Sequence, residues 1–106
     1  AGKPLQVALA TVLLNYAVVF SGSQATDDGD RLLCFSAAAQ FLETEGLDPE
    51  AIFRLLVAAG TLLTGDETVV AAGQSLDLLA TVRRHCAVRE PAKVGDCAQK
   101  VADILQ

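Results

Sequence analysis

Tryptophan is absent from this 106-residue chain, tyrosine and histidine occur once each, and phenylalanine only four times. A core short of rings must be filled by Ala, Leu and Val, which suits close-packed helices. Cations are also scarce: eight Lys and Arg against 13 Asp and Glu give a net charge of −5 and a pI near 4.6. That balance argues against a nucleic-acid binder, because phosphate contacts need a basic face. Cysteines are few, and Cys34, Cys86 and Cys97 show no paired short spacing. A structural zinc framework needs two close ligand pairs, so it is excluded. No Gly-Lys-Ser/Thr phosphate cradle, no Gly-x-Ser-x-Gly elbow and no alternating run long enough for a sheet is present. Asp27, Asp28 and Asp30 suggest a calcium loop, but Ala38, Ala39 or Phe41 stands where its twelfth-position Glu is required. The expectation is a chain that is not an enzyme and carries no cofactor or metal.

What is present is apolar: 52% of the residues, with a mean hydropathy of +0.40. The charge is uneven. Residues 1–80 hold three basic and ten acidic side chains, whereas residues 81–106 hold five basic and three acidic. The longest apolar stretch, Leu5 to Phe20, is interrupted by Gln6, Thr11 and Asn15 and is read as shorter than the roughly 20 residues of a membrane span. No signal peptide is visible. These features predict a cytoplasmic or nuclear protein without membrane contact, with reduced, buried thiols.

The three prolines stand at positions 4, 49 and 91, so they are 45 and 42 residues apart. Each opens an apolar, helix-like run, and proline is best tolerated in a first helical turn. A spacing in the low forties matches armadillo and HEAT arrays, at roughly 40–47 residues per repeat. Helices are predicted from Pro4 to Phe20, from Arg31 to Glu45 with Gly46 as the stop, and from Pro49 to Leu63 behind an Asp48 cap. Three more are expected: Glu67 to Ala72, Leu76 to Cys86 behind a Ser75 cap, and Pro91 to Leu105. The first helix is apolar almost all round, so covering it requires further protein. The fold class read from this pattern is all-α: the C-terminal two to three repeats of an armadillo/HEAT-like array, spanning 1–106. Such a slice is expected to self-associate or to be only marginally stable.

Two helices carry polar stripes. Glu50, Arg54 and Thr61 share one sector of the third helix at about 100° per residue, and Thr11 and Asn15 pair on the first. In a stacked array equivalent helices line one concave surface, bringing the stripes together. There Asn15 would meet a peptide backbone and Arg54 a carboxylate. The alternative is a solvated face holding an Arg54–Glu50 ion pair. His85, beside Cys86 and twelve residues before Cys97, is read as a surface histidine among core cysteines. A cysteine hydrolase would require His85 within hydrogen-bonding distance of Cys86 or Cys97.

Three phrases, in order, resemble the end of the PUL domain family. They are Val7-Ala-Leu-Ala-Thr-Val-Leu-Leu-Asn-Tyr16, Glu50-Ala-Ile-Phe-Arg-Leu-Leu-Val-Ala-Ala-Gly-Thr-Leu62 and Glu90-Pro-Ala-Lys-Val-Gly-Asp-Cys97. PUL domains are armadillo-like arrays of about six repeats. The resemblance implies a partner, the C-terminal tail of the valosin-containing AAA ATPase held in a basic groove, and an adaptor role in ubiquitin-dependent turnover. By the same resemblance Arg54 and Asn15 are the matches expected at that groove; the polar stripes place Thr11 and Glu50 beside them. A cap of the solenoid, with the binding residues elsewhere, is the alternative role.

Overall fold

The computed structural model describes residues 3–22, 28–64, 66–87 and 92–106. Six helices follow one another: α1 (Lys3–Gly22), α2 (Asp28–Leu42), α3 (Pro49–Leu63), α4 (Glu67–Ser75), α5 (Leu78–Cys86) and α6 (Ala92–Leu105), with no strand among the described residues. Local chemistry sets most boundaries. Asp48 has an extended backbone and accepts the Glu50 N–H at 2.9 Å, with Pro49 at the first helical position, so α3 starts as expected. Asp66 caps α4 in the same way, accepting from the N–H groups of Thr68 and Val69 at 3.0 and 3.2 Å. The third proline, Pro91, lies outside the described residues.

Several boundaries differ from the sequence expectation, among them the start of α2, at Asp28 rather than Arg31. α2 ends at Leu42 rather than Glu45, and the chain turns through Glu43 and Thr44 to a Gly46 with φ +75°. Leu47 is buried, and the Asp48 N–H reaches Gln6 Oε1 at 3.0 Å, so the backbone must leave the helix early to dock. Ser75 does not cap α5; it closes α4, and α5 begins after Asp77, whose backbone is left-handed with φ 55° and whose side chain caps nothing. Val69 to Ala72 is helical within α4.

The helices form a two-layer slab with extents of 37 × 29 × 19 Å. One layer holds α1, α3 and α6, with α3 packed between the other two; α2, α4 and α5 back it. α1 and α3 run parallel, since Gln6 meets Asp48 and Thr11 meets Arg54, 42 and 43 residues apart. α3 and α6 are parallel as well: Glu50 meets Lys93, 43 residues on, and Gly60 faces Val101. The repeat suggested by the proline spacing is thus a physical offset between neighbouring helices. This is an all-α, armadillo-like arrangement.

Small residues permit the close approach. Ala58 and Ala59 of α3 are fully buried, and Phe35, Leu55, Leu56, Leu62 and Leu63 fill the centre. Full burial of each such large side chain favours folding by about 1.5–3 kcal/mol. α1 is different. It buries Ala10 and Ala17 but leaves Leu5, Leu9, Val12, Tyr16, Val18 and Val19 about half exposed, so its outer face is apolar and uncovered. Residues Pro4–Ser21 are also long and apolar enough to cross a membrane by length and composition, with mean hydropathy 1.6, so length alone does not exclude a span as the sequence reading held. Its inner side, however, meets charge: the Arg54 guanidinium donates to Thr11, and lipid around that contact would strand a cation.

Candidate functional site

The first two turns of α3 carry the polar groups of the central layer. Pro49 and the Asp48 cap fix the start of the helix, which sets Glu50 and Arg54 one turn apart on the same face. Arg54 Nε donates to Glu50 Oε1 at 3.1 Å, and Arg54 Nη1 donates to Thr11 Oγ1 across the α1–α3 seam. Thr11 gives its own proton to the Val7 carbonyl at 2.7 Å, so its hydroxyl serves Arg54 as a fixed acceptor. On the other side Lys93 Nζ, from α6, donates to Glu50 Oε2 at 2.6 Å. The same ammonium lies 4.6 Å from the centroid of the Phe53 ring. Thr11, Arg54, Glu50 and Lys93 therefore form one ladder across three parallel helices. Hydrogen bonds from Lys93 and Arg54 hold the Glu50 carboxyl below its ordinary range.

Of the four residues singled out in the sequence, three meet: Thr11, Glu50 and Arg54. Asn15 is on the same helix as Thr11, one turn on, and is exposed without a hydrogen bond among the described residues. The expected Arg54–Glu50 pair exists, but Arg54 is half-buried rather than fully exposed, at 34% of its side chain.

Beside the ladder runs an open groove of about 580 Å3 between α3 and α6. Phe53, Val57 and Thr61 line one wall; Cys97, Lys100 and Ile104 line the other. Thr61, the last member of the α3 stripe, lines the groove and donates to the Val57 carbonyl at 2.7 Å. Sequence reasoning missed Lys93, Phe53 and Lys100. The signal was available: moving 43 residues on from Glu50 lands on Lys93.

The cysteines and histidine require correction. Cys34 is buried, but Cys86 and Cys97 are only half-buried, and Cys97 faces the groove. Burial raises the Cys34 and Cys97 thiols above their ordinary value, which disfavours the nucleophilic thiolate. His85 is not a fully exposed surface residue. It is half-buried, bonded to the Leu42 backbone, and its Nε2 is buried with no partner among the described residues. Desolvation pushes it below its ordinary value. The Asp27–Asp30 segment lies partly outside the described residues.

The PUL domain family model matches residues 1–100. Among curated relatives, the chain is 38% identical over 103 residues to the phospholipase A-2-activating protein of Xenopus laevis. That alignment covers 97% of this chain and 12% of the relative, so the chain spans about an eighth of the relative's length. With the parallel helical layers and the 43-residue offset already in view, these matches settle the kinship: the chain belongs to the PUL domain family.

Proposed function

We propose that this chain, as a PUL domain a protein-interaction module, is the C-terminal part of an armadillo-like array that holds the C-terminal tail of the valosin-containing AAA ATPase. The role is that of an adaptor in ubiquitin-dependent turnover, in the cytoplasm or nucleus. The observation that carries the reading is the α1–α3–α6 face, where Arg54 and Lys93 stand at the head of an apolar groove. Cations fit a tail's carboxylates, the groove fits its apolar side chains, and Asn15 offers both a donor and an acceptor to an extended backbone. The acidity of the chain as a whole does not oppose this, since Coulomb attraction at contact is local.

The test is calorimetric titration of a tail peptide against wild type, Arg54→Ala, Arg54→Lys and Asn15→Ala. A charge-assisted hydrogen bond of about 1.5–3 kcal/mol corresponds to roughly a 10- to 100-fold loss in Arg54→Ala. Arg54→Lys recovers only part, because lysine has no planar fork. Asn15→Ala loses less. Unchanged affinity in Arg54→Ala, with helicity retained, removes Arg54 from the site.

One observation favours a second reading, a structural cap of the solenoid: Arg54 already spends Nε on Glu50 and Nη1 on Thr11. In that case Arg54→Ala lowers the melting temperature and leaves peptide affinity where it was.

A further inference from the structure

We infer that Arg54 and Lys93 form an anion-binding pair whose resident ligand in the free chain is the Glu50 carboxylate, which an acidic group of a partner displaces on docking. The inference rests on reading the α1–α3–α6 face as a partner surface, and it assigns Glu50 the part of an internal competitor.

The geometry distinguishes the anion from the cations. Glu50 bridges two helices with its two oxygens, Oε1 to Arg54 at 3.1 Å and Oε2 to Lys93 at 2.6 Å. Each cation has a second anchor that does not involve Glu50. Arg54 is tied to Thr11, whose hydroxyl is itself fixed on Val7, and Lys93 sits over the Phe53 ring. The Glu50 side chain bonds only to the two cations among the described residues. Removing it leaves the guanidinium and the ammonium where they are, facing one vacated position. All three side chains remain reachable, at 34%, 34% and 45% exposure for Arg54, Glu50 and Lys93. Ion pairs this open contribute little to stability, so exchanging the anion costs the fold little.

The consequence is selectivity. A chain of net charge −5 holds two of its eight cations at this point and offsets them with a single carboxylate, which leaves the cluster with one positive charge in excess. A lone small anion gains no more than Glu50 already supplies. A tail that also fills the groove adds apolar contact and displaces the carboxylate. Asp96, on the same groove, repels misplaced acidic groups and reinforces the register.

The experiment follows the Arg54 Nε–Hε resonance in labelled wild type, Glu50→Gln and Glu50→Asp during titration with sodium sulfate. The same proteins are titrated with the tail peptide. In Glu50→Gln the resonance shifts and saturates with sulfate, in wild type it does not, and Glu50→Asp, its shorter arm reaching fewer cations, falls between. Glu50→Asp alone decides the matter if circular dichroism shows that Glu50→Gln is unfolded. Tail affinity rises about 3-fold in Glu50→Gln, the size of one exposed ion pair released. Equal sulfate responses in wild type and variants, or none in any, overturn the inference. If sulfate discriminates the variants but the tail peptide binds none of them, the tail reading fails and the internal ligand stands.

Discussion

Gly60 and Gly73 both lie inside helices, where alanine is the better helix former by up to about 1 kcal/mol, yet their surroundings differ. A Cβ on Gly60 would stand 3.4 Å from Val101 Cγ2, an ordinary contact. A Cβ on Gly73 would stand 2.8 Å from Leu105 Cδ2 and 3.1 Å from Cζ of Phe35, a ring that is fully buried. Leu105 can rotate its methyl away; Phe35 has no room. Gly60→Ala is therefore expected to hold or raise the urea midpoint. Gly73→Ala is expected to cost about 1–3 kcal/mol through overpacking. A stable Gly73→Ala would show that α4 slides freely on α2 and α6. The thiols give a second test at this scale. Burial raises the Cys34 and Cys97 thiols, so iodoacetamide should alkylate these two more slowly in the native protein than in the urea-unfolded chain at neutral pH, as peptide mapping would read. Rapid native alkylation at Cys97 would restore a chemical role for the groove.

Among the elements, α1 is the one whose sequence and surroundings disagree. Its inner side docks on α3 through alanines and a hydroxyl, while Leu5, Leu9, Val12, Tyr16, Val18 and Val19 face outward. Leu33 of α2, 72% exposed, adds to the same kind of surface. Contiguous exposed apolar surface of this kind marks an interaction face. Light scattering over a concentration series should report a mass that grows with concentration. Val12→Lys with Val19→Lys should reduce that growth while leaving the helical circular dichroism intact, since both positions are exposed. A monomer at every concentration would mean that the face is tolerated in water as it stands.

The molecule as a whole responds to acid through two groups on different elements. His85 is desolvated against the α2–α3 connection, which lowers its folded pKa below the ordinary 6.5. The unfolded chain then takes up the proton more readily, so the contribution is complete above about pH 6.5 and is lost as the pH falls below it. Glu50 follows the same sign at lower pH, with a contribution present above 4.5 and lost as the pH drops through the lowered folded value, but its carboxylate is open to water and that contribution is small. Urea midpoints should fall as the pH drops from 7 to 5, and His85→Gln should flatten that fall. A wild-type midpoint constant between pH 7 and 5 would contradict the desolvation of His85.

Much of this architecture was legible in the sequence because it is local. The Asp48-Pro49 helix start was legible because capping needs only a side-chain oxygen two or three residues from an orphan N–H. The helical class followed from apolar periodicity, and the repeat from three prolines at near-equal spacing. Glu50 and Arg54 were legible as a pair because i, i+4 neighbours on a helix always meet. What the tertiary structure decided involves partners far apart in the chain. Thr11 and Lys93 join Glu50 and Arg54 only because α1, α3 and α6 run parallel in one layer, a fact of packing that no single helix encodes. The early end of α2 answers to the burial of Leu47 and to Gln6, 42 residues before Asp48. His85 becomes half-buried, and Cys97 faces the groove, by the way α5 and α6 fold back, although neither residue's neighbours in sequence changed. Local hydrogen bonds and periodicity set the elements; long-range burial chose which side chains share a face.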